Sequence, residues 1–468
     1  MGCAASVDVQ TTDVQPLAPV TTKTTTTAPA ATSPASTSPA TTAPDATDVL
    51  EGAADKKARP YDEALSAAVV DIQAYWRTTF PQVYGMSYTD VKGGIWPVQP
   101  GVVGVPGCGE PRTSFGDIEG NAFYCPQGDF MAYDDQELFP TIYERYGSDV
   151  LAMILAHEWG HAIQVRAGID GSTILLEQQA DCFSGAWMGH LAADGGPITV
   201  NDDTLTVAVA GMVSFSDAPG TTTKQDGAHG SGFDRVGAFQ DGFDGGAAQC
   251  ATYTTNPPQV LELPLTESDF ATGGNLPYDT IVPLTIKDLD RFWTHVFAGR
   301  GVTYAAPAGG LQPYPAAGPY PSCPGITAGD AFYQGRVWYC PEGDFIAYDT
   351  DALGGTVYDI GDFAVSVLVG NAWSDAMQSR LGVTETGRDR SLDGDCLTGA
   401  WTRSTLPGPD GDPDKNLTLS AGDLDEGVIA FLRFGAGEGG GVQVGTVFDR
   451  VSSFRRGILQ GVTACGIA

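Results

Sequence analysis

The chain has 468 residues and carries 57 acidic against 24 basic side chains, which gives a net charge of -33 at pH 7. A surface of this sign repels phosphate backbones and anionic membranes, so we expect no nucleic-acid partner. The length suffices for two or three domains with their own cores, and no apolar run approaches the roughly 20 residues that a membrane-spanning helix needs.

The sequence of the N-terminal region indicates a tether rather than a folded domain. The chain begins Met-Gly-Cys3-Ala-Ala-Ser, which fits either a bacterial lipoprotein cut down to its lipidated cysteine or the myristoylation pattern M-G-x-x-x-S. Residues 11–48 are dominated by Thr, Ala, Pro and Ser, a composition typical of a flexible stalk. We therefore assign residues 1–58 to a lipoprotein-type N-terminus with its stalk, and we expect membrane contact only through a lipid on Cys3.

The rest of the chain contains two ordered copies of one pattern. Residues 124–130 (YCPQGDF) reappear 215 positions later at 339–345 (YCPEGDF), and the FDRV segment at 233–236 reappears at the same interval. Between these segments the interval is 214, as the positions of Cys182 and Cys396 show. Matches in this number and order indicate a tandem duplication of one domain.

The cysteines follow the duplication. Eight of the nine cysteines fall four to a copy at equivalent places, and the ninth is Cys3. If each copy closes internally, the economical pairing is Cys108–Cys125, Cys182–Cys250, Cys323–Cys340 and Cys396–Cys465. Disulfides form in oxidising compartments, so the lipoprotein interpretation of Cys3 is preferred over myristoylation. We expect an extracellular bacterial protein that is tethered to the cell membrane.

The first copy contains a metal-binding motif on a predicted helix. Ser148 is expected to cap this helix, and Gly168 is expected to end it. His157 and His161 are four positions apart, so they share one helix face and can bind one metal ion. Glu158 can reach a water beside that ion and act as the general base of a hydrolase. The alternative is a pair of helix histidines with ordinary polar contacts.

A zinc site needs a third protein ligand, and the next predicted helix supplies a candidate. Glu177 and Asp181 are also four positions apart, so they lie on one helix face. We assign Glu177 to the metal and Asp181 to a supporting position, where its carboxylate holds a ligand histidine by the second ring nitrogen. The reverse assignment, with Asp181 as the ligand, stays open at this stage.

The second copy keeps the scaffold but lacks the metal-binding set. The positions of His157, Glu158, His161 and Glu177 are occupied there, in that order, by Asn371, Ala372, Asp375 and Ser391. Asp181, by contrast, is retained as Asp395. We therefore expect one zinc ion per chain, bound by the first copy.

His229 belongs to the set that the second copy has lost, because Val444 stands opposite it. A histidine donor near the metal would stabilise the oxyanion of a tetrahedral intermediate. The alternative is a surface histidine in a glycine-rich loop, and the sequence gives both interpretations similar support.

Together these motifs resemble the neutral zinc metallopeptidase family of bacteria. The resemblance is carried in order by YCP at 124–126, HEWGHAIQ at 157–164, EQQADC at 177–182 and a tail with His229, Arg235 and Cys250. It covers about residues 60 to 255 and is specific in the order of its motifs. The second copy shares only the scaffold.

The resemblance implies an α+β, zincin-like fold, in which helices carry the metal site beside a small sheet. It also implies a peptidase whose third zinc ligand is the glutamate, here Glu177. We therefore predict a zinc-dependent endopeptidase that acts on a peptide or protein substrate. The predicted active copy spans 59–256, a linker spans 257–284, and the degenerate copy spans 285–468.

Two other functions stay open from the sequence alone. One is a non-catalytic extracellular protein that binds zinc or a partner, and the other is a metallohydrolase that acts on amides of the cell wall. Three roles are open for the degenerate copy, namely substrate binding, covering of the active copy, or binding of a cell-wall partner.

Overall fold

The computed structural model describes residues 49–52, 56–225, 227–324, 330–434 and 444–467. Cys3 and the predicted stalk lie outside the described residues, so the expected lipid anchor is not part of the fold described below. No helix within the described ranges is long and apolar enough to cross a membrane.

Over its described residues, the first copy folds into a three-stranded sheet and six α-helices. Its elements in chain order are α1 (Asp62–Tyr84), β1 (Ile95–Val98), β2 (Ala122–Cys125), β3 (Phe130–Asp134), α2 (Leu138–Tyr146), α3 (Ser148–Ala167), α4 (Thr173–Asp194), α5 (Asp202–Ser214) and α6 (Gly232–Ala251). Strand β3 is central, with β1 parallel on one side and β2 antiparallel on the other. Strand β2 is therefore an edge strand, and it contacts α3.

The described part of the second copy repeats this order. Its elements are α7 (Tyr278–Gly299), β4 (Gly310–Tyr314), the short α8 (Asp330–Tyr333), β5 (Val337–Cys340), β6 (Phe345–Asp349), the short α9 (Thr350–Ala352), α10 (Asp362–Arg380), α11 (Gly387–Ser404), α12 (Asp423–Phe434) and α13 (Val447–Gln460). Strand β6 lies between parallel β4 and antiparallel β5. The molecule is a mixed α+β protein, and α7 begins within the stretch predicted as a linker.

The hydrophobic core is continuous between the two copies. One large cluster of buried apolar side chains contains Trp76 and Trp159 of the first copy together with Trp373 and Trp401 of the second. Helix α5 packs against α12 and α13, and α6 packs against α12. The two copies therefore bury apolar surface against each other, which the repeat pattern did not indicate.

Helix α3 is buried on most sides, as its apolar sequence requires. It ends at Gly168, which adopts the left-handed conformation with φ 66° and donates its N–H to the carbonyls of Gln164 and Val165. This end agrees with the prediction. The expected cap at Ser148 is wrong, because Gly147 occupies the capping position and Ser148 is the first helical residue.

Four disulfides join the cysteines of the described residues, each within its own copy. The pairs are Cys108–Cys125, Cys182–Cys250, Cys323–Cys340 and Cys396–Cys465. The predicted pairing is thereby confirmed.

Helices α4 and α6 approach so closely that their backbones touch. A side-chain carbon at Gly242 would lie 1.8 Å from the carbonyl oxygen of Cys182, and one at Gly185 would lie 2.0 Å from that of Phe239. Residues larger than glycine would force the helices apart at these positions. The close contact and the Cys182–Cys250 bridge together fix α6 against the helix that carries Glu177.

Candidate metal centre

His157, His161 and Glu177 come together in a buried space between α3 and α4. One ligand atom of each residue lies within 4.8 Å of the others. His157 Nε2 is 3.2 Å from Glu177 Oε2, and His161 Nε2 is 3.5 Å from Glu177 Oε1. Two imidazoles and one carboxylate form a donor set that zinc takes in catalytic sites.

Glu177 Oε2 is a buried carboxylate oxygen that accepts no hydrogen bond of good geometry from the described residues. The nitrogens that face it are His157 Nε2 at 3.2 Å and His229 Nε2 at 3.8 Å. A buried carboxylate oxygen without a donor costs free energy, and a cation held beside it by imidazole nitrogens would offset that cost. The residues present therefore fit a zinc ion.

Each of the two histidines on α3 is held by its second ring nitrogen. His157 Nδ1 is 2.7 Å from Asp181 Oδ1, and His161 Nδ1 is 3.0 Å from Gln164 Oε1. Gln164 in turn donates to the carbonyl oxygen of Leu176 at 2.6 Å. Contacts of this kind fix ring orientation and leave Nε2 for a metal. Asp181 thus contacts the other nitrogen of the ring whose Nε2 faces Glu177.

Arg235 on α6 holds Asp181 in place. Its Nε and Nη2 atoms donate to the two carboxylate oxygens, both at 2.9 Å. The second copy retains this pair, with Arg450 Nε 2.8 Å from Asp395 Oδ2. There Asn371 Nδ2 donates to Asp395 Oδ1 at 2.8 Å, in the place of the histidine ring. Sequence reasoning gave Arg235 no role, and its retention with the aspartate in both copies is the signal that could have found it.

Glu158 is buried beside the histidines and contacts the edge strand. Its Oε2 accepts the backbone N–H of Tyr124 on β2 at 2.8 Å. Burial raises the pKa of Glu158, and the neighbouring His161 and His157 partly offset this effect. A carboxyl group with a raised pKa is suited to take up a proton and return it.

The carboxylates around the two α3 histidines favour protonation of the imidazole rings, most clearly that of His157. Burial opposes protonation of His157, but Asp181 and Glu177 outweigh it and raise the pKa of His157 to about 10. Burial also opposes ionisation of Glu177, but His161 and His157 hold the pKa of Glu177 well below its usual range. A metal that binds to these imidazoles must therefore displace at least one proton.

His229 lies on the loop before α6, next to the ligand set. Its Nε2 is 3.8 Å from Glu177 Oε2, and its Nδ1 is 3.4 Å from Asp217 Oδ1. Asp217 Oδ2 also accepts the backbone N–H groups of His229 and Gly230, both at 2.8 Å. Asp217 was not singled out from the sequence, and no motif surrounds it.

Among the described residues, three further groups bring metal-ligating side chains together, and they suit zinc less well. They are Cys323 with Cys340 and Glu342, His295 with Asp412 and Asp414, and Asp362 with Asp423 and Glu426. The cysteines of the first group form a disulfide. In the second group His295 is exposed, and the third offers carboxylates alone.

A cavity of about 420 Å³ opens beside the candidate site, between the two copies. His157, Glu158 and His229 form part of its lining. Its apolar lining comes from both copies and includes Ile142, Met153, Met212, Phe215, Ile360 and Ile429. A cavity of this size falls in the range of pockets that bind small molecules.

The chain is similar to bacterial proteins that are described as uncharacterized. YpfJ of Escherichia coli K12 is 28% identical over 173 residues, which cover 31% of this chain and 57% of that protein. Mb2605 of Mycobacterium bovis and Rv2575 of Mycobacterium tuberculosis are each 27% identical over 177 residues, which cover 32% of this chain and 58% of each relative. The match thus spans less than two thirds of these relatives, and their names indicate no activity. No family model and no solved structure matches the chain.

Proposed function

We propose that the chain is a zinc-dependent endopeptidase with one active site, in its first copy. The observation that carries the proposal is the convergence of His157, His161 and Glu177 next to Glu158, where His157 and Glu158 also line a cavity. The resemblance to the neutral zinc metallopeptidase family supports the same class of enzyme.

The roles of the residues follow from their positions. A zinc ion held by His157, His161 and Glu177 would supply Lewis acidity, which lowers the pKa of water and polarises a carbonyl group. Glu158 takes a proton from the attacking water and passes it to the leaving amine. His229 donates a hydrogen bond to the oxyanion that develops on the substrate carbonyl.

The cavity supports a substrate with a large apolar side chain near the scissile bond. Ile360 and Ile429 of the second copy contribute to this apolar lining together with side chains of the first copy. Burial of apolar surface contributes about 25 cal/mol per Å², so a leucine or phenylalanine gains more there than an alanine. Because the cavity lies between two packed copies, we propose unstructured protein segments or peptides as the substrate.

We also propose that the protein acts outside the cell membrane, tethered by a lipid on Cys3. The four disulfides support an oxidising compartment. Metabolic labelling with a fatty-acid analogue tests the tether, and a label that persists in Cys3→Ser would contradict it.

Two substitutions in the site test the proposed catalysis. Glu158→Gln should keep zinc and the fold but lower casein hydrolysis about 10²- to 10⁴-fold, because an amide cannot accept the proton of water. Glu177→Ala should instead weaken zinc binding, measured by metal analysis after dialysis. Ser391→Ala, at the equivalent position in the second copy, is the matched control and should change neither property.

The same assays separate the alternatives. If the Glu158→Gln and Glu177→Ala phenotypes came out reversed, the assignment of ligand and base would be wrong. A chain that holds zinc but cleaves neither casein nor cell-wall material would be a binding protein. Release of wall fragments with intact casein would favour a cell-wall amidase.

A further inference from the structure

Asp425 of the second copy contacts the backbone of the first copy at the start of α6. Asp425 belongs to α12, and its Oδ2 accepts the N–H of Gly232 at 2.9 Å while its Oδ1 accepts the N–H of Phe233 at 2.8 Å. The first N–H groups of a helix have no partner within the helix. The carboxylate of Asp425, in the second copy, therefore accepts hydrogen bonds from two backbone N–H groups at the start of α6, in the first copy.

Gly232 permits this contact by having no side chain. A carbon added there would lie 3.1 Å from the Cα atom of Val213 and 3.2 Å from the carboxyl carbon of Asp425. These distances are tighter than ordinary contacts, so a side chain at this position would require Val213 or Asp425 to shift by a few tenths of an ångström. The α6 start is thus fitted closely between α5 and α12.

The segment 229–233 is held by two aspartates, one from each copy. Asp217 accepts its first two backbone N–H groups, and Asp425 accepts its last two. His229 is the first residue of this segment, and its Nε2 is 3.8 Å from Glu177 Oε2. The backbone that carries the ring is thus held at its first residues by the first copy, where Gln178 Nε2 also donates to the carbonyl oxygen of His229 at 3.1 Å, and at its last residues by a carboxylate of the second copy.

The rest of the site is fixed by other contacts. Arg235 follows on the same helix, but it is held by Asp181 at 2.9 Å. Further along α6, Gly242 packs against the backbone of α4, and Cys250 bonds to Cys182. Loss of the Asp425 contact should accordingly move the 229–233 segment and leave the zinc ligands in place.

We propose that Asp425 is a positioning residue that holds His229 for catalysis, so that the degenerate copy is an integral part of the active site. This proposal rests on the proposed peptidase function and on the donor role of His229.

The second copy offers a matched control at the equivalent helix start. There Thr446 and Asp449 form a reciprocal cap, with Thr446 N donating to Asp449 Oδ2 at 3.0 Å and Asp449 N donating to Thr446 Oγ1 at 3.1 Å. Asp449 thus stabilises the start of α13 but is not part of the cavity lining. Asp449→Ala therefore measures how the loss of a helix cap affects stability and activity when the candidate site is unchanged.

Kinetics of the full chain on an unstructured peptide test the proposal. Asp425→Ala should lower kcat about 10- to 100-fold with little change in zinc content, because small displacements of a group that acts in the transition state cost this much. Because Asp425 also lines the cavity, the readout is kcat and not KM. Asp449→Ala should keep kcat. In the His229→Ala background, Asp425→Ala should cost less than about 2-fold, since the ring on which it acts is already absent.

Asp425→Asn keeps one acceptor oxygen, so its kcat should fall less than that of Asp425→Ala. It serves as the test if Asp425→Ala does not fold. A wild-type kcat in the variant that folds would overturn the proposal. Equal losses with and without His229 would also overturn it, because they would show that Asp425 does not act through the ring.

A second readout does not depend on peptidase activity. The chain has five histidines, so NMR of the zinc-loaded protein can identify the His229 ring as the signal that disappears in His229→Ala. This signal should shift in Asp425→Ala and stay in place in Asp449→Ala. If no peptide is cleaved but the signal shifts as expected, the proposed function fails and the positioning role stands. An unchanged signal would contradict the positioning role itself.

Discussion

Three imidazole rings lie near the Glu177 carboxylate, and their surroundings differ. His157 and His161 are on α3, and their second ring nitrogens contact Asp181 and Gln164. His229 is on a loop, and its Nε2 is farther from Glu177, at 3.8 Å against 3.2 Å for His157. These differences support ligand roles for the first two rings and a donor role for His229.

Replacement of His229 distinguishes the donor role from a surface-loop residue without a role and from a third histidine ligand of the metal. His229→Ala should lower kcat about 10²- to 10³-fold, the usual loss for an oxyanion donor. Zinc content and the thermal midpoint should barely change, since the bond forms only in the transition state. His190→Ala, at a partly exposed site beside Asp194, is the control and should keep full activity. Wild-type turnover would indicate that His229 is a loop residue without a catalytic role. Loss of zinc would indicate that it is a metal ligand.

The protons of the metal-free site determine how zinc affinity depends on pH. Because the pKa of His157 is raised to about 10, this ring is protonated at neutral pH and zinc must displace its proton. Affinity should therefore rise with pH through the neutral range and level off above that pKa. Calorimetry in buffers of different ionisation enthalpy measures the number of protons released. We expect at least about one proton per zinc ion. Zinc binding without proton release would contradict this charge state.

At the scale of the elements, the disulfide between α4 and α6 should matter most for the site. Cys182–Cys250 joins residues 68 positions apart, against 17 for Cys108–Cys125. Loop-closure entropy makes the longer link worth about 1 kcal/mol more, within a typical total of about 2–5 kcal/mol.

Urea unfolding of two double variants measures this difference. Cys182→Ala with Cys250→Ala should lose more free energy of unfolding than Cys108→Ala with Cys125→Ala. The first pair should also weaken zinc binding, because α4 carries Glu177. A larger loss from the short link would contradict the loop-closure argument.

Some of these elements could be predicted because their signals are local or repeated. The spacing of His157 and His161 indicated helix α3, and the recurrence of four cysteines at equivalent places in each copy indicated the pairing. The cap at Ser148 could not be predicted, since only the backbone conformation of Gly147, with φ 81°, shows where the helix begins.

Contacts between distant parts of the chain could not be predicted from these patterns. Asp425 lies 193 positions from Gly232, and neither belongs to a motif that links them. Asp217 likewise acts through backbone N–H groups, which leave no trace in the spacing of side chains. Arg235 is an intermediate case, because its pair with Asp181 recurs in the second copy as Arg450 with Asp395.

At the scale of the whole molecule, the contacts between copies favour one of the three roles that the sequence left open for the second copy. Its residues Ile360 and Ile429 help to line the cavity beside Glu158, and the apolar core runs through both copies. This arrangement supports the second of those roles, in which the second copy covers the first. Separation of the copies would expose apolar surface on both.

A zinc titration of the metal-free full chain, with casein hydrolysis as the readout, tests most directly whether the molecule has one catalytic zinc site. Hydrolysis should rise in proportion to added zinc and stop rising at one zinc per chain, because Asn371, Ala372, Asp375 and Ser391 replace the metal-binding set in the second copy. A plateau at two zinc ions per chain, or hydrolysis that persists when zinc is removed by a chelator, would contradict this conclusion.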